Sequence, residues 1–202
     1  VIIDQRQNNI ELRKDQIVKI CDRDFVGCDQ LIYINKSNDA DAELVFYNSD
    51  GSEAEACGNA SRCVAGILFA SSPKKKLSIE TISGIINAES EVNGNIKVDM
   101  GKPRFLWNEI PLNENVKEIN FEQFSLKNGL TVNMGNPHIV FFVEDLNNIN
   151  INEIGPYIET YKLFPKRINI EICQIINKNK IKALIWERGA GKTLACGSGA
   201  CA

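Results

Sequence analysis

The sequence predicts an α+β protein with mostly antiparallel sheet, built as two related halves. Two observations carry this. Short strand-like runs, several of them paired as hairpins, alternate with single helix-like segments. In addition, Ala56-Cys57-Gly58-Asn59 returns as Ala195-Cys196-Gly197-Ser198. Each copy follows a strand and a glycine-containing turn, and each is followed by small residues and a second cysteine, Cys63 or Cys201. A second repeat, Met100-Gly101-Lys102-Pro103 and Met134-Gly135-Asn136-Pro137, places the division near Pro103, giving halves 1–102 and 103–202.

The elements follow in order. Val1-Ile2-Ile3 reads as part of a strand. Leu12 to Cys21 has helical spacing of Leu12, Ile17, Ile20 and Cys21. Gln30–Ile34 and Glu43–Tyr47 are strand-like, and Asn48-Ser49-Asp50-Gly51 is a turn. Ala60–Ala70 carries an apolar helical face. Leu77–Glu80, Ile85–Ala88 and Ile96–Met100 are short strands, separated by Gly84 and by the hairpin pair Asn93-Gly94. A polar connection spans Asn108–Glu118. Strands return at Leu130–Asn133 and Ile139–Glu144, and Ile151–Tyr161 is a helix. Ile168–Ile176 and Ile181–Trp186 form a hairpin over Asn177–Lys180. A turn and the start of a helix close the chain.

The chain has 202 residues, 44% hydrophobic and 24% charged, enough to bury a sizeable core. Its net charge is −3 and its longest basic run is Lys74-Lys75-Lys76, so neither a nucleic-acid nor a membrane partner is expected. No run approaches the ~20 apolar residues of a membrane span. Seven cysteines without a C-x-x-C, and a single histidine, His138, argue against a secreted disulfide scaffold and against zinc. No metal is expected, and a reducing cytoplasm is the expected compartment. There is no initiator Met, and both ends read as cut.

The closing stretch resembles a phosphate-binding loop at Gly191-Lys192-Thr193. The loop needs its first glycine five residues before the second, and that position is Trp186. Nucleotide binding is therefore not expected, and Lys192 reads as a surface residue of a turn.

The repeated unit has chemistry of its own. Cys57 stands where a turn meets a helix starting near Ala60, and Gly58 permits close approach of a ligand to the main chain. Asn59 is a favoured N-cap, as is Ser198 in the second copy. Unpaired N–H groups at a helix start form an anion site. The same field lowers a neighbouring thiol from ~8.5 toward ~3.5–7.5. Two such units facing each other could grip one carboxylate and flank its α-carbon with two sulfurs. One thiolate would remove the α-proton, and the opposite thiol would return a proton to the other face. No cofactor is needed for such an inversion.

With these residues the chain resembles the diaminopimelate epimerases over almost its whole length. The resemblance rests on Cys28-Asp29-Gln30-Leu31, Tyr47-Asn48-Ser49-Asp50-Gly51-Ser52-Glu53, Cys57-Gly58-Asn59-Ala60-Ser61-Arg62-Cys63, Met134-Gly135-Asn136-Pro137-His138, Arg167-Ile168-Asn169, and Trp186 through Ala202. It implies two pseudo-symmetric domains, each a sheet wrapped around a central helix, with the site in the cleft between them. It implies that Cys57 and Cys196 are the acid/base pair. Gly58 with Asn59, and Gly197 with Ser198, would hold the reacting carboxylate. Arg188 would take the distal carboxylate and Glu187 the distal ammonium. Asn48, Asn136, Asn169 and Gln30 would complete the pocket. His138 and Glu187 would tune the cysteines.

Taken singly, each Asn reads as a turn or cap residue and His138 as an ordinary strand residue. Cys63 and Cys201 are expected on inner helix faces. Cys21, Cys28 and Cys173 have no assigned role. The family pattern Gly-Asn-Gly-Ala-Arg-Cys stands here as Gly-Asn-Ala-Ser-Arg-Cys, and Lys192 replaces a common glutamate or small residue. The resemblance also implies a homodimer, further chain beyond both ends, and a small-molecule substrate. The competing readings are a non-catalytic relic, a dithiol redox sensor using Cys57 and Cys196, and, more distantly, a proline-type racemase.

Overall fold

The computed structural model describes residues 1–55 and 57–202; Ala56, the first residue of the repeated unit, lies outside the described residues. The chain divides into two compact units, Val1–Gly101 and Lys102–Ala202, each with its own sheet.

In the first unit, β1 (Ile2–Asp4) pairs with β2 (Gln30–Asn35), and β2 with β3 (Ala42–Asn48). The short β4 (Glu53–Ala54) also pairs with β3. The sheet continues through β5 (Lys76–Thr81), β6 (Gly84–Ser90) and β7 (Ile96–Asp99). Along β3, Ala42, Leu44, Phe46 and Asn48 are buried while the residues between them are less so, the alternation a half-covered strand requires. Their face packs on α2 (Gly58–Ala70) through Ala60, Val64, Ala65 and Leu68, joined by Ile32, Ile34 and Ile79. The opposite face meets α1 (Lys14–Cys21), where Ile17 and Cys21 cover Leu31 and Tyr33. Coverage on both faces explains why the centre of β2 is apolar at consecutive positions.

The second unit orders its strands β12-β11-β10-β9-β8. These are β8 (Leu130–Asn133), β9 (Pro137–Phe142), β10 (Asn169–Asn177), β11 (Lys180–Glu187) and β12 (Gly191–Thr193), with α3 (Ile151–Glu159) after β9. Ile139, Phe141, Ile170 and Ile172 meet Ile151, Ile154 and Ile158 of α3 in one core. Ile110 and Leu112 enter the same core, so the connection expected to be polar is pinned by buried apolar anchors.

Both sheets are mostly antiparallel, as expected, with three parallel pairings: β1–β2, β3–β5 and β9–β10. Each spans a helix in sequence, α1, α2 or α3 respectively. Parallel neighbours need a crossover connection, and the single helices supply it. Two departures from the sequence expectation bear on the site. β9 begins at Pro137, which brings His138 into the strand. Gly191-Lys192-Thr193 is not a turn but the edge strand β12, paired with Ile185–Glu187. Its backbone runs in a ladder instead of cradling a phosphate.

Candidate active site

In the first unit, the helix start differs from the expected one. α2 begins at Gly58, and Cys57 itself is the N-cap, with extended backbone. Its sulfur accepts the Ala60 N–H at 3.4 Å, and its carbonyl accepts the Ser61 N–H and Ser61 Oγ–H, each at 2.9 Å. Asn59 is therefore not the cap: it is the second helical residue, exposed at the helix start. A sulfur in the capping position sits directly on the positive end of the helix. Cys63 is exposed, contrary to its expected inward position. The buried stripe Ser61, Val64, Ala65 and Leu68 occupies the helical face that Cys63 misses. In the adjoining sheet, Gln30 and Asn48 are register partners of β2 and β3. Gln30 Nε2 donates to Asn48 Oδ1 at 3.0 Å, and Asn48 Nδ2 donates to Ser52 Oγ at 3.2 Å.

The second unit repeats the two backbone N–H contacts of this motif. Cys196 Sγ accepts the Gly199 N–H at 3.4 Å, and the Cys196 carbonyl accepts the Ala200 N–H at 3.0 Å. Cys196 rather than Ser198 is the cap of this helical turn. Ser198 is buried, with its Oγ 3.4 Å from the Cys196 sulfur. Cys201 is exposed, again contrary to expectation.

Around Cys196 the sheet presents a polar face. In β10, Ile170 and Ile172 point to the α3 core. Strand alternation turns Asn169, Glu171 and Cys173 the other way. His138 pairs in register with Asn169. The register that pairs Ile170 with Trp186 brings Glu187 one step further, beside Asn169. His138 is fully buried: its Nδ1 lies 2.8 Å from Glu171 Oε1 and its Nε2 lies 2.8 Å from Asn136 Oδ1. Asn169 donates Nδ2–H to the Pro137 carbonyl at 2.7 Å and accepts the Arg188 N–H at 2.9 Å. Arg188 Nη1 donates to the Lys166 carbonyl at 3.0 Å. Thr193 Oγ1 donates to Glu187 Oε1 at 2.6 Å, so the β11–β12 hairpin holds that carboxyl.

The thiol field differs from the sequence expectation. Cys196 is pushed up to about 12, first by burial and then by the Glu187 charge; the Ser198 and Gly199 hydrogen bonds pull it down but do not compensate. Burial likewise raises Glu187, against the pull of its Thr193 and Cys196 hydrogen bonds. One helical turn supplies too little field to outweigh desolvation. Burial also raises Cys173, to about 11, and Cys21, to about 12. The Cys21 and Cys28 sulfurs lie 3.5 Å apart. A thiol raised in the folded state binds its proton more tightly there. Its contribution to stability is therefore full below the unfolded value of ~8.5 and is lost as pH rises toward the folded one. Thermal stability is expected to fall between pH 8 and 10, and less steeply in Cys196→Ser. A flat melting temperature over that range would refute this.

Comparison with known proteins settles the family. A diaminopimelate epimerase sequence profile matches residues 1–106 and 130–202. The chain belongs to the diaminopimelate epimerase family. It is 46% identical to the diaminopimelate epimerase of Pelagibacter ubique, over all of this chain and 76% of that protein. It is 44% identical to that of Carboxydothermus hydrogenoformans, over all of this chain and 77% of that protein. Among solved structures, a PhzF-family phenazine biosynthesis protein of Bacillus anthracis shares the fold, with TM-score 0.63 and 18% identity over 94% of this chain and 68% of that one. So does a hydroxyproline epimerase of Agrobacterium vitis, with TM-score 0.62 and 13% identity over 92% and 62%.

Two carboxylates in this epimerase-family chain escaped sequence reasoning. Glu159 of α3 accepts from Trp186 Nε1 at 2.7 Å, Gly189 N–H at 3.1 Å and Arg167 Nη1 at 3.3 Å. It thereby clamps the turn that carries Arg188. Nothing in the sequence pattern of α3 marks it. Glu171 had a signal, since it alternates with Ile170 and Ile172 on the same strand face as Asn169. It is 1% exposed, and its Oε2 has no hydrogen-bond partner among the described residues. Such an orphan costs about 1–3 kcal/mol. Among the described residues, no helix is long and apolar enough to cross a membrane.

Proposed function

We propose that this chain interconverts LL- and meso-diaminopimelate, a step of lysine and peptidoglycan precursor synthesis, by proton transfer at the α-carbon through Cys57 and Cys196. Family membership supports the activity. The observation that carries the mechanism is the duplicated cap: in each unit a cysteine sulfur accepts the N–H three residues on. An anionic carboxylate bound at such a turn meets oriented N–H groups, and its growing charge in the carbanion is stabilised by them.

In this reading, Gly58 with Asn59 and Gly197 with Ser198 hold the reacting carboxylate. Arg188 and Glu187 meet the distal carboxylate and ammonium. Gln30, Asn48, Asn136 and Asn169 shape the pocket, with Asn169 acting partly through the Arg188 backbone it already holds. His138 and Glu187 adjust the thiols. The raised Cys196 is the protonated partner in the unliganded unit, ready to donate. Both proton transfers run through the two thiols without a cofactor. The thiols must stay reduced, which supports a cytoplasmic setting.

The test is exchange of the α-hydrogen of diaminopimelate with deuterated water, followed by mass spectrometry and by the ratio of LL to meso isomers. Exchange with inversion is expected. A chain that catalyses neither would leave the non-catalytic or redox-sensor reading. Inversion of proline but not diaminopimelate would point to the racemases.

A further inference from the structure

We infer that Glu171 is the positioning residue of the second unit's half-site. From the third position of β10 its carboxylate holds the His138 ring on one side, and on the other it fills the space that Gly199 leaves in the turn carrying Cys196. The inference deepens the epimerase reading and rests on it for its activity arm.

Glu171 is almost fully buried between Ile170 and Ile172, both of them fully buried in the core. Removing a charge from water is costly, and an apolar residue there would avoid that cost. The charge is thus better explained by what it holds than by stability. A carboxylate oxygen can only accept, so the 2.8 Å contact fixes the proton on His138 Nδ1. The tautomer of the ring facing Asn136 is then set from β10, not by Asn136, whose amide can face either way.

The same oxygen meets the cysteine turn. A Cβ built on Gly199 would lie 2.3 Å from Glu171 Oε1 and 3.0 Å from its carboxyl carbon. Only glycine fits at 199 while Glu171 keeps this place, and the Gly199 N–H is the group bound to the Cys196 sulfur. His138, Glu171, Gly199 and Cys196 therefore form one contiguous chain within the unit. The Glu171 charge also acts on Glu187 and Cys196, raising both.

His138 is the only histidine, so its imidazole ¹⁵N resonances are unambiguous. In the parent chain Nδ1 is expected to carry the proton at neutral pH. In Glu171→Gln, whose amide can accept or donate at that point, both tautomers are expected. Exchange kcat is expected to drop about 10–100-fold, the rate equivalent of losing one hydrogen bond to a charged group, with KM changed less than about twofold. The double variant His138→Gln/Glu171→Gln is expected to lose no more than His138→Gln alone, because both act through one contact. An unchanged ¹⁵N pattern in Glu171→Gln, or losses that add in the double variant, would overturn the role. Should Glu171→Gln not fold, Gly199→Ala presses on the same oxygen from the turn and is expected to perturb the Nδ1 resonance; an unperturbed resonance overturns the inference. If the parent chain shows no exchange, the epimerase reading fails, while the ¹⁵N measurement still decides Glu171.

Discussion

Serine at position 196 is expected to abolish inversion of the diaminopimelate α-carbon while leaving the fold intact. The hydroxyl of serine is a far weaker acid than a thiol and is not a base near neutral pH. Losing one positioned acid/base group costs typically about 10²–10⁴ in rate. The fold is expected to persist because the cap survives: serine ranks among the best N-cap residues, and its oxygen can accept the Gly199 N–H that the sulfur accepts now. Cys57→Ser is expected to behave alike, with the Ala60 N–H as the retained donor. Circular dichroism and melting should therefore stay near the parent values while inversion disappears. Either variant retaining inversion would sink the two-thiol mechanism. The exposed Cys63 and Cys201 supply controls, since their replacement is expected to change little.

Gly155→Ala is expected to destabilise the second unit, although alanine is the better helix former by about 1 kcal/mol. A Cβ at 155 would lie 2.2–2.5 Å from Cδ2, Cγ and Cε3 of Trp186. These atoms are near the root of the ring, so no flexible end can swing aside. The indole is also tied down by its 2.7 Å hydrogen bond to Glu159. Forced overpacking costs typically about 1–3 kcal/mol, so the clash outweighs the helical gain. At roughly 4–8 °C per kcal/mol for a unit of this size, the loss is readable by thermal melting. Exchange is expected to weaken as well, because Trp186 directly precedes Glu187 and Arg188. An unchanged or raised melting temperature would show that α3 and β11 can slide apart freely.

Much of the candidate site is legible in the sequence because its signal is local and duplicated. The Ala-Cys-Gly repeat marks both cysteines without reference to anything distant, and the polar residues around them stand in short motifs. Strand alternation likewise made the sheets readable. The cap assignment was off by two residues, because Asn and Ser are common caps and cysteine is not. Only the backbone path shows that the sulfur takes the N–H. The thiol field at Cys196 departs from the helix-start rule for a related reason. The helix-start rule assumes solvent nearby, whereas Cys196 is buried beside Glu187.

Sequence by itself determined the α+β class and the failure of the phosphate-loop resemblance at Trp186, and it put forward the two halves and the cysteine pair. These depend on spacing along the chain, which folding does not alter. Tertiary structure decided that Gly191–Thr193 is an edge strand, that Glu171 sits between His138 and Gly199, and that Glu159 holds the Arg188 turn. Those facts depend on which strands pair and in what register. Register is set by burial and hydrogen bonding between residues far apart in the chain, so no local pattern records it.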